Sequence, residues 1–174
     1  MIYKIKREEI LPYNVPFSKL NFHFNLKEVR YNIKFDKNCY WGPAKDDDDM
    51  LLNTLCGIQF GFNKKNSIKL LWRPDFNYKY QMYLYVYSYN NKKHIDKITF
   101  IKTVKTEHFF NVKITGFKTG YYEINVEDTV IEIEKYFPTV NWGFFINPHI
   151  HEETEAIQDM NFTIEKTIKY NTLF

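Results

Sequence analysis

Four tyrosines occupy alternate positions in Tyr83-Leu-Tyr-Val-Tyr-Ser-Tyr89, and a Trp72-Arg73 pair comes shortly before them. Alternate residues of an extended chain share a face, so Tyr83, Tyr85, Tyr87 and Tyr89 form a stripe roughly 20 Å long at about 3.3 Å per residue. A phenol joins an apolar ring to a polar tip. That suits a surface that meets a partner chain, stacks on a sugar, or stacks on a base beside Lys69 and Arg73. The same rings also pair across a half-covered sheet without any ligand. Because exposed aromatic area attracts partners and interfaces concentrate energy in Tyr, Trp and Arg, the expected binding face is Trp72, Arg73, Tyr83, Tyr85, Tyr87 and Tyr89.

Other groups fit known chemistry less well. Glu132 and Glu134 on one strand face would stand about 7 Å apart, a spacing compatible with glycoside hydrolysis, yet Glu-x-Glu among Val130, Ile131 and Ile133 also describes an ordinary half-buried strand. His149 and His151, with Glu152, Glu153 and Glu155 nearby, resemble part of a divalent-metal site but bring no cysteine. Asp46–Asp49 could offer oxygens to Ca²⁺, but four adjacent acids lack the spacing of a calcium loop and read as a solvated turn. Neither Cys39 nor Cys56 has a histidine close in sequence, and there is no Gly-x-Ser-x-Gly elbow or phosphate-cradling glycine loop. The cysteines are expected to be buried, reduced thiols. No catalytic residue, cofactor or metal is expected.

Composition limits the classes further. The 174 residues and 21.2 kDa predict one domain, residues 1–174, with a substantial core. Aromatics form 19% of the chain, which favours strands. A net charge of +3 is too mild for a nucleic-acid partner to be expected. No apolar run is long enough for a membrane span, and Met1-Ile-Tyr-Lys-Ile-Lys-Arg-Glu-Glu does not read as a signal peptide.

The elements that must position these residues follow from period-two alternation. Ile58, Phe60 and Phe62, then Ile68, Leu70 and Trp72, then Met82, Leu84 and Val86, each mark the apolar face of a strand, and the three strands read as neighbours. Leu20, Phe22, Phe24 and Leu26, followed by Val29, Tyr31, Ile33 and Phe35, read as a hairpin. Val140, Trp142, Phe144 and Ile146 read as another core-facing run, as do Phe162, Ile164, Ile168 and Tyr170. Helical turns are conceivable at Met50–Leu55 and Glu153–Ile157. About eleven strands and little helix predict an all-β, two-sheet, jelly-roll-like sandwich, with Phe60, Leu70, Leu84, Val112, Trp142 and Ile164 in its core.

The stretch from Leu55 to Arg73 and the Tyr-rich strand resemble a group of uncharacterised phage and bacterial β-sandwich proteins. Their shared pattern is a Gly-Phe-x-Phe-Gly strand, an Asn-Ser pair and a Gly-Trp-Arg end. Here Phe60-Gly61, Asn66-Ser67 and Trp72-Arg73 match, while Leu71 stands in place of the glycine. The resemblance implies a sandwich and a viral setting, and it supplies no active site. The expectation is a non-enzymatic structural or interaction module, a virion or virion-associated protein in the virion or host cytoplasm. Its expected partners are a second copy or other virion proteins. The alternatives are a carbohydrate-binding module and, more weakly, a glycan-processing enzyme.

Overall fold

The computed structural model describes residues 2–5, 21–40, 52–63, 65–90, 95–135, 140–149 and 159–172. Its strands are β1 (Ile2–Ile5), β2 (Asn21–Phe24), β3 (Leu26–Phe35), β4 (Asn53–Phe60), β5 (Ser67–Pro74), β6 (Gln81–Asn90), β7 (Ile95–Lys105), β8 (Phe109–Thr115), β9 (Tyr121–Val126), β10 (Thr129–Glu134), β11 (Trp142–Ile146) and β12 (Met160–Tyr170). Sheet I has the order β1-β12-β3-β8-β9-β10, and sheet II the order β2-β11-β4-β5-β6-β7. The two antiparallel sheets form a jelly-roll sandwich, as the alternation predicts. The helical element among the described residues is one 3-10 turn, Lys37–Cys39.

The core lies between the sheets. Sheet I contributes Val29, Ile33, Phe35, Val112, Ile124 and Phe162, and sheet II contributes Ile58, Ile68, Leu70, Met82 and Leu84. At its centre the Phe35 ring lies 5.0 Å from Trp72, 5.8 Å from Phe110 and 6.4 Å from Phe162. Aromatic pairs of this kind add roughly 0.5–1.5 kcal/mol beyond the area they bury.

The three strands around the Tyr stripe are neighbours as expected, with Leu70 opposite both Cys56 and Val86. Trp72 corrects the expected binding face. It is 1% exposed. It shares the inward face of β5 with Ile68 and Leu70, so it packs against sheet I and cannot reach a ligand on the outer surface.

Residues 21–35 do not form the expected hairpin. β2 pairs with β11 in sheet II, whereas β3 pairs with β12 and β8 in sheet I. Asn25 makes the crossing with φ 53°, a left-handed conformation that asparagine tolerates better than most residues. The alternation therefore changes phase at Asn25. His23 faces the core, while Phe22 and Phe24 face outward.

The same correction applies to β11, the partner of β2. Gly143 and Phe145 are buried, and Trp142 is not a core residue. A Cβ on Gly143 would fall 1.9 Å from the Gln59 carbonyl oxygen, so only glycine fits that inward position. Phe60, Leu70, Leu84, Val112 and Ile164 are buried as predicted.

Asn53–Leu55 opens β4 rather than ending a helical turn. Both cysteines are free and buried, and burial raises Cys39 to about 12 and pushes Cys56 higher still. Asp46–Asp49, His151, Glu152, Glu153, Glu155 and the expected turn at Glu153–Ile157 lie outside the described residues.

Candidate functional site

The outer face of sheet II is built by strand register. One row across it runs Ile146, Gly57, Lys69, Tyr87, Ile98. The next runs Thr54, Leu71, Tyr85, Phe100, and a third runs Arg73, Tyr83, Thr103. Tyr83, Tyr85 and Phe100 meet edge to face, with ring centroids 5.6–6.4 Å apart.

Cations lie over these rings. Arg73 Cζ is 5.4 Å from the Tyr83 ring centre and 5.9 Å from that of Tyr85. Lys69 Nζ is 5.2 Å from Tyr87, and Lys65 Nζ is 4.8 Å from Tyr89. Contacts of this kind contribute about 0.5–1 kcal/mol each at exposed sites and hold the charges against the sheet.

Hydrogen bonds fix the phenols. Arg73 Nε donates to Tyr85 Oη at 3.1 Å, and Tyr87 Oη donates to Asp96 at 2.6 Å. Tyr83 bonds the Asp75 carboxylate. Partial desolvation raises the Tyr83 phenol above its ordinary value, and Asp75 adds to the shift. Asp75 is itself buried, and its carboxylate accepts the Asn77 and Tyr78 backbone N–H groups at 2.9 and 3.3 Å. Tyr89 is also buried, so Tyr83, Tyr85 and Tyr87 are the accessible part of the predicted stripe.

The β2–β11 end of the same face carries a second aromatic group. Trp142 stacks on Phe22 at 6.2 Å and meets Phe62 edge-on at 4.8 Å, and Phe144 lies 5.9 Å from Phe22. Phe22 is 56% exposed and Phe62 73%. Rings thus stand at both ends of this face, with the Gln59 amide between them donating to the Gly61 carbonyl at 3.0 Å.

Solved structures place this fold among known proteins. An alginate lyase from Alteromonas sp. 272 is similar over 98% of this chain and 79% of its own, at 10% identity and TM-score 0.53. An alginate lyase from Pseudomonas aeruginosa is similar over 92% and 69%, at 12% identity and TM-score 0.60. A third, alginate lyase A1-II′ of polysaccharide lyase family 7, is similar over 95% and 70%, at 12% identity and TM-score 0.52. These likenesses establish the fold. No family model and no curated protein matches the chain. The expectation of a non-enzymatic virion module is corrected here: the three similar structures are named as alginate lyases, which favours the glycan-processing alternative.

The other candidates separate from this face. Glu132 and Glu134 lie on β10, the edge strand of sheet I, with Ile133 between them turned into the core. His149 bridges Thr54 through its main chain, and its Nδ1 lies 3.0 Å from the Asn147 carbonyl oxygen. Among the described residues, no group of three or more His, Cys, Asp and Glu side chains is placed to hold a metal. Sequence reasoning missed Phe100 and the outward turn of Phe22, Trp142 and Phe144. Phe100 alternates with Ile98 and was legible as a face. Phe22 was hidden by the change of phase at Asn25, and Trp142 and Phe144 because the inward face of β11 starts with Gly143, which carries no apolar side chain.

Proposed function

We propose that this chain is a glycan-processing enzyme of the lyase type, which takes an acidic polysaccharide along the outer face of sheet II. The observation that carries the reading is Arg73 bonded to Tyr85 on a face of stacked rings and cations, in a fold shared with proteins named as alginate lyases. The rings supply flat apolar area against which a sugar ring lies. Lys69 and Arg73 supply positive charge for uronate carboxylates.

The chemistry follows from these groups. Removing the C5 proton of a uronate places negative charge next to a carboxylate that is already negative. Arg73, paired with that carboxylate, offsets the charge, and a guanidinium fits a carboxylate in bidentate fashion. Tyr85, as phenolate, accepts the C5 proton. The C5–H electron pair becomes the C4–C5 double bond, and the C4–O bond breaks with its pair on the departing oxygen. The phenol then returns its proton to that oxygen, so Tyr85 ends as it began and no water is consumed.

Purified chain incubated with alginate, with a neutral β-glucan as control, tests the reading. Ultraviolet absorbance of the new conjugated double bond should rise with the polyuronate alone. Failure to form unsaturated ends from alginate and from pectate would overturn the proposal.

A further inference from the structure

The rings at the β2–β11 end of sheet II lie apart from the Arg73–Tyr85 pair, and they are open to solvent. Phe22, Phe24 and Phe62 are exposed, Phe62 by 73%. Half-buried Trp142 and Phe144 stand among them. The rings brace one another. Trp142 lies within 24° of parallel to Phe22, and Phe62 and Phe144 meet it edge-on at 70° and 90°. Aromatic pairs prefer these two arrangements, so the group holds its shape without a ligand.

Strand register ties this group to the proposed site. From Tyr85 it leads across to Leu71, along β5 to Ser67, and across again through Gln59 to Phe144. Four residues of strand and three strand spacings put Phe144 roughly 20 Å from Tyr85, at about 3.3 Å per residue and 4.8 Å per strand. Lys69 lies along that diagonal with its Nζ over Tyr87, and Lys65 lies beside it with its Nζ over Tyr89. Asp96, opposite Tyr89 in these rows, is engaged by the Tyr87 hydroxyl.

Charge decides what covers the face. Protein interfaces are depleted in lysine at their centre. A second copy docked about a two-fold axis would present the same patch, so Lys65, Lys69 and Arg73 would meet charges of their own sign. An acidic glycan brings carboxylates to these cations and the C–H faces of its rings to the aromatics.

We propose that Phe22, Phe62 and Trp142 form a distal subsite for the same acidic polysaccharide, holding a sugar ring several units away from the Arg73–Tyr85 pair. The identity of the polymer rests on the proposed function. The subsite itself carries no charge, so it grips the sugar backbone while Lys69 and Arg73 meet the carboxylates. Preference for long substrates then belongs to the β2–β11 edge.

Isothermal titration of the full chain with an octasaccharide and with a trisaccharide of D-mannuronate tests this. The titrations use Tyr85→Phe, which spares the octasaccharide from cleavage. The octasaccharide should bind more tightly than the trisaccharide. Trp142→Ala and Phe62→Ala should each cut that advantage roughly tenfold, within the range of one ring stacked on a base. Phe62 is the more exposed of the two, so Phe62→Ala decides the matter if Trp142→Ala does not fold. The proposal is overturned by no octasaccharide binding, by equal affinity for the two oligomers, or by an advantage that both variants retain. It is also overturned if light scattering finds a dimer that either variant dissociates, since a second copy then occupies the face. Loss of the advantage in the variants, with no cleavage of alginate by the parent chain, would sink the lyase reading and leave the subsite standing. Cleavage with the advantage unaltered would do the reverse.

Discussion

Arg73 reaches diagonally across the β5–β6 pair. It stands opposite Tyr83 in the register, yet its Nε donates to Tyr85 at 3.1 Å. Diagonal neighbours on one sheet face lie within reach of long side chains, so the bond needs no distortion of the strands. Tyr85→Phe keeps the ring against Phe100 and removes only the hydroxyl. Turnover of alginate should fall about 10²–10⁴-fold, the range of general acid–base catalysis, with the melting temperature nearly unchanged. Initial rates of double-bond formation and a thermal melt check both parts.

Lys69 and Arg73 are the cations laid over Tyr87, Tyr83 and Tyr85. Lys69→Gln should raise KM for a polyuronate several-fold and leave turnover largely intact, because its charge attracts the polymer without touching the reacting carbon. Added salt should weaken polymer binding in the parent chain and less so in the variant, since screening acts on exposed charge. A KM series over ionic strength measures this.

Two tryptophans separate core from surface. Trp72→Ala should cost about 3–5 kcal/mol, because Phe35 and Phe162 lose a buried partner. Trp142→Ala lies on the outer face and should cost about 1 kcal/mol or less. Denaturant midpoints of the two variants make the comparison directly.

His23 sets an acid limit on stability. Burial lowers it from 6.5 to about 4, and the charge of Lys166, whose Nζ lies over the Phe145 ring, adds to the shift. Above pH 6.5 the imidazole is neutral in both the folded and unfolded chain. Below 6.5 the unfolded chain binds a proton that the folded chain refuses, so this contribution falls as the pH drops from 6.5 to about 4, by about 3 kcal/mol in all. His23→Phe should remove that part of the pH dependence. Unfolding free energies measured from pH 7 to pH 4 provide the check.

The central strands were legible because one rule governs them from end to end. In β5 and β6 the positions Ile68, Leu70, Trp72, Met82, Leu84 and Val86 are buried in turn, so Leu70 and Leu84 are where alternation puts them. Trp72 lies on that same inward face, so reading it as a ligand contact neglected the strand's own parity. At β2 the rule fails for a physical reason. Phe22, Phe24 and Leu26 alternate faultlessly, but the left-handed Asn25 divides them between two sheets with opposite inward directions. The surroundings of His23 depend on which distant strands become neighbours. Pairings such as Gly143 with His23 and Phe60 join residues far apart in the chain, and local alternation does not encode them.

The crossing at Asn25 is also tied to the far end of the chain. Its carbonyl accepts the Asn171 backbone N–H at 2.9 Å, and the two side-chain amides each donate to the other residue's carbonyl at 3.2 Å. The edge of sheet II is thus anchored, through one peptide and a pair of amides, to β3 near the middle of sheet I and to the end of β12. A load applied by a long polymer drawn across sheet II would pass into sheet I instead of shearing one sheet over the other. The molecule would meet its substrate as a rigid block rather than as two hinged plates.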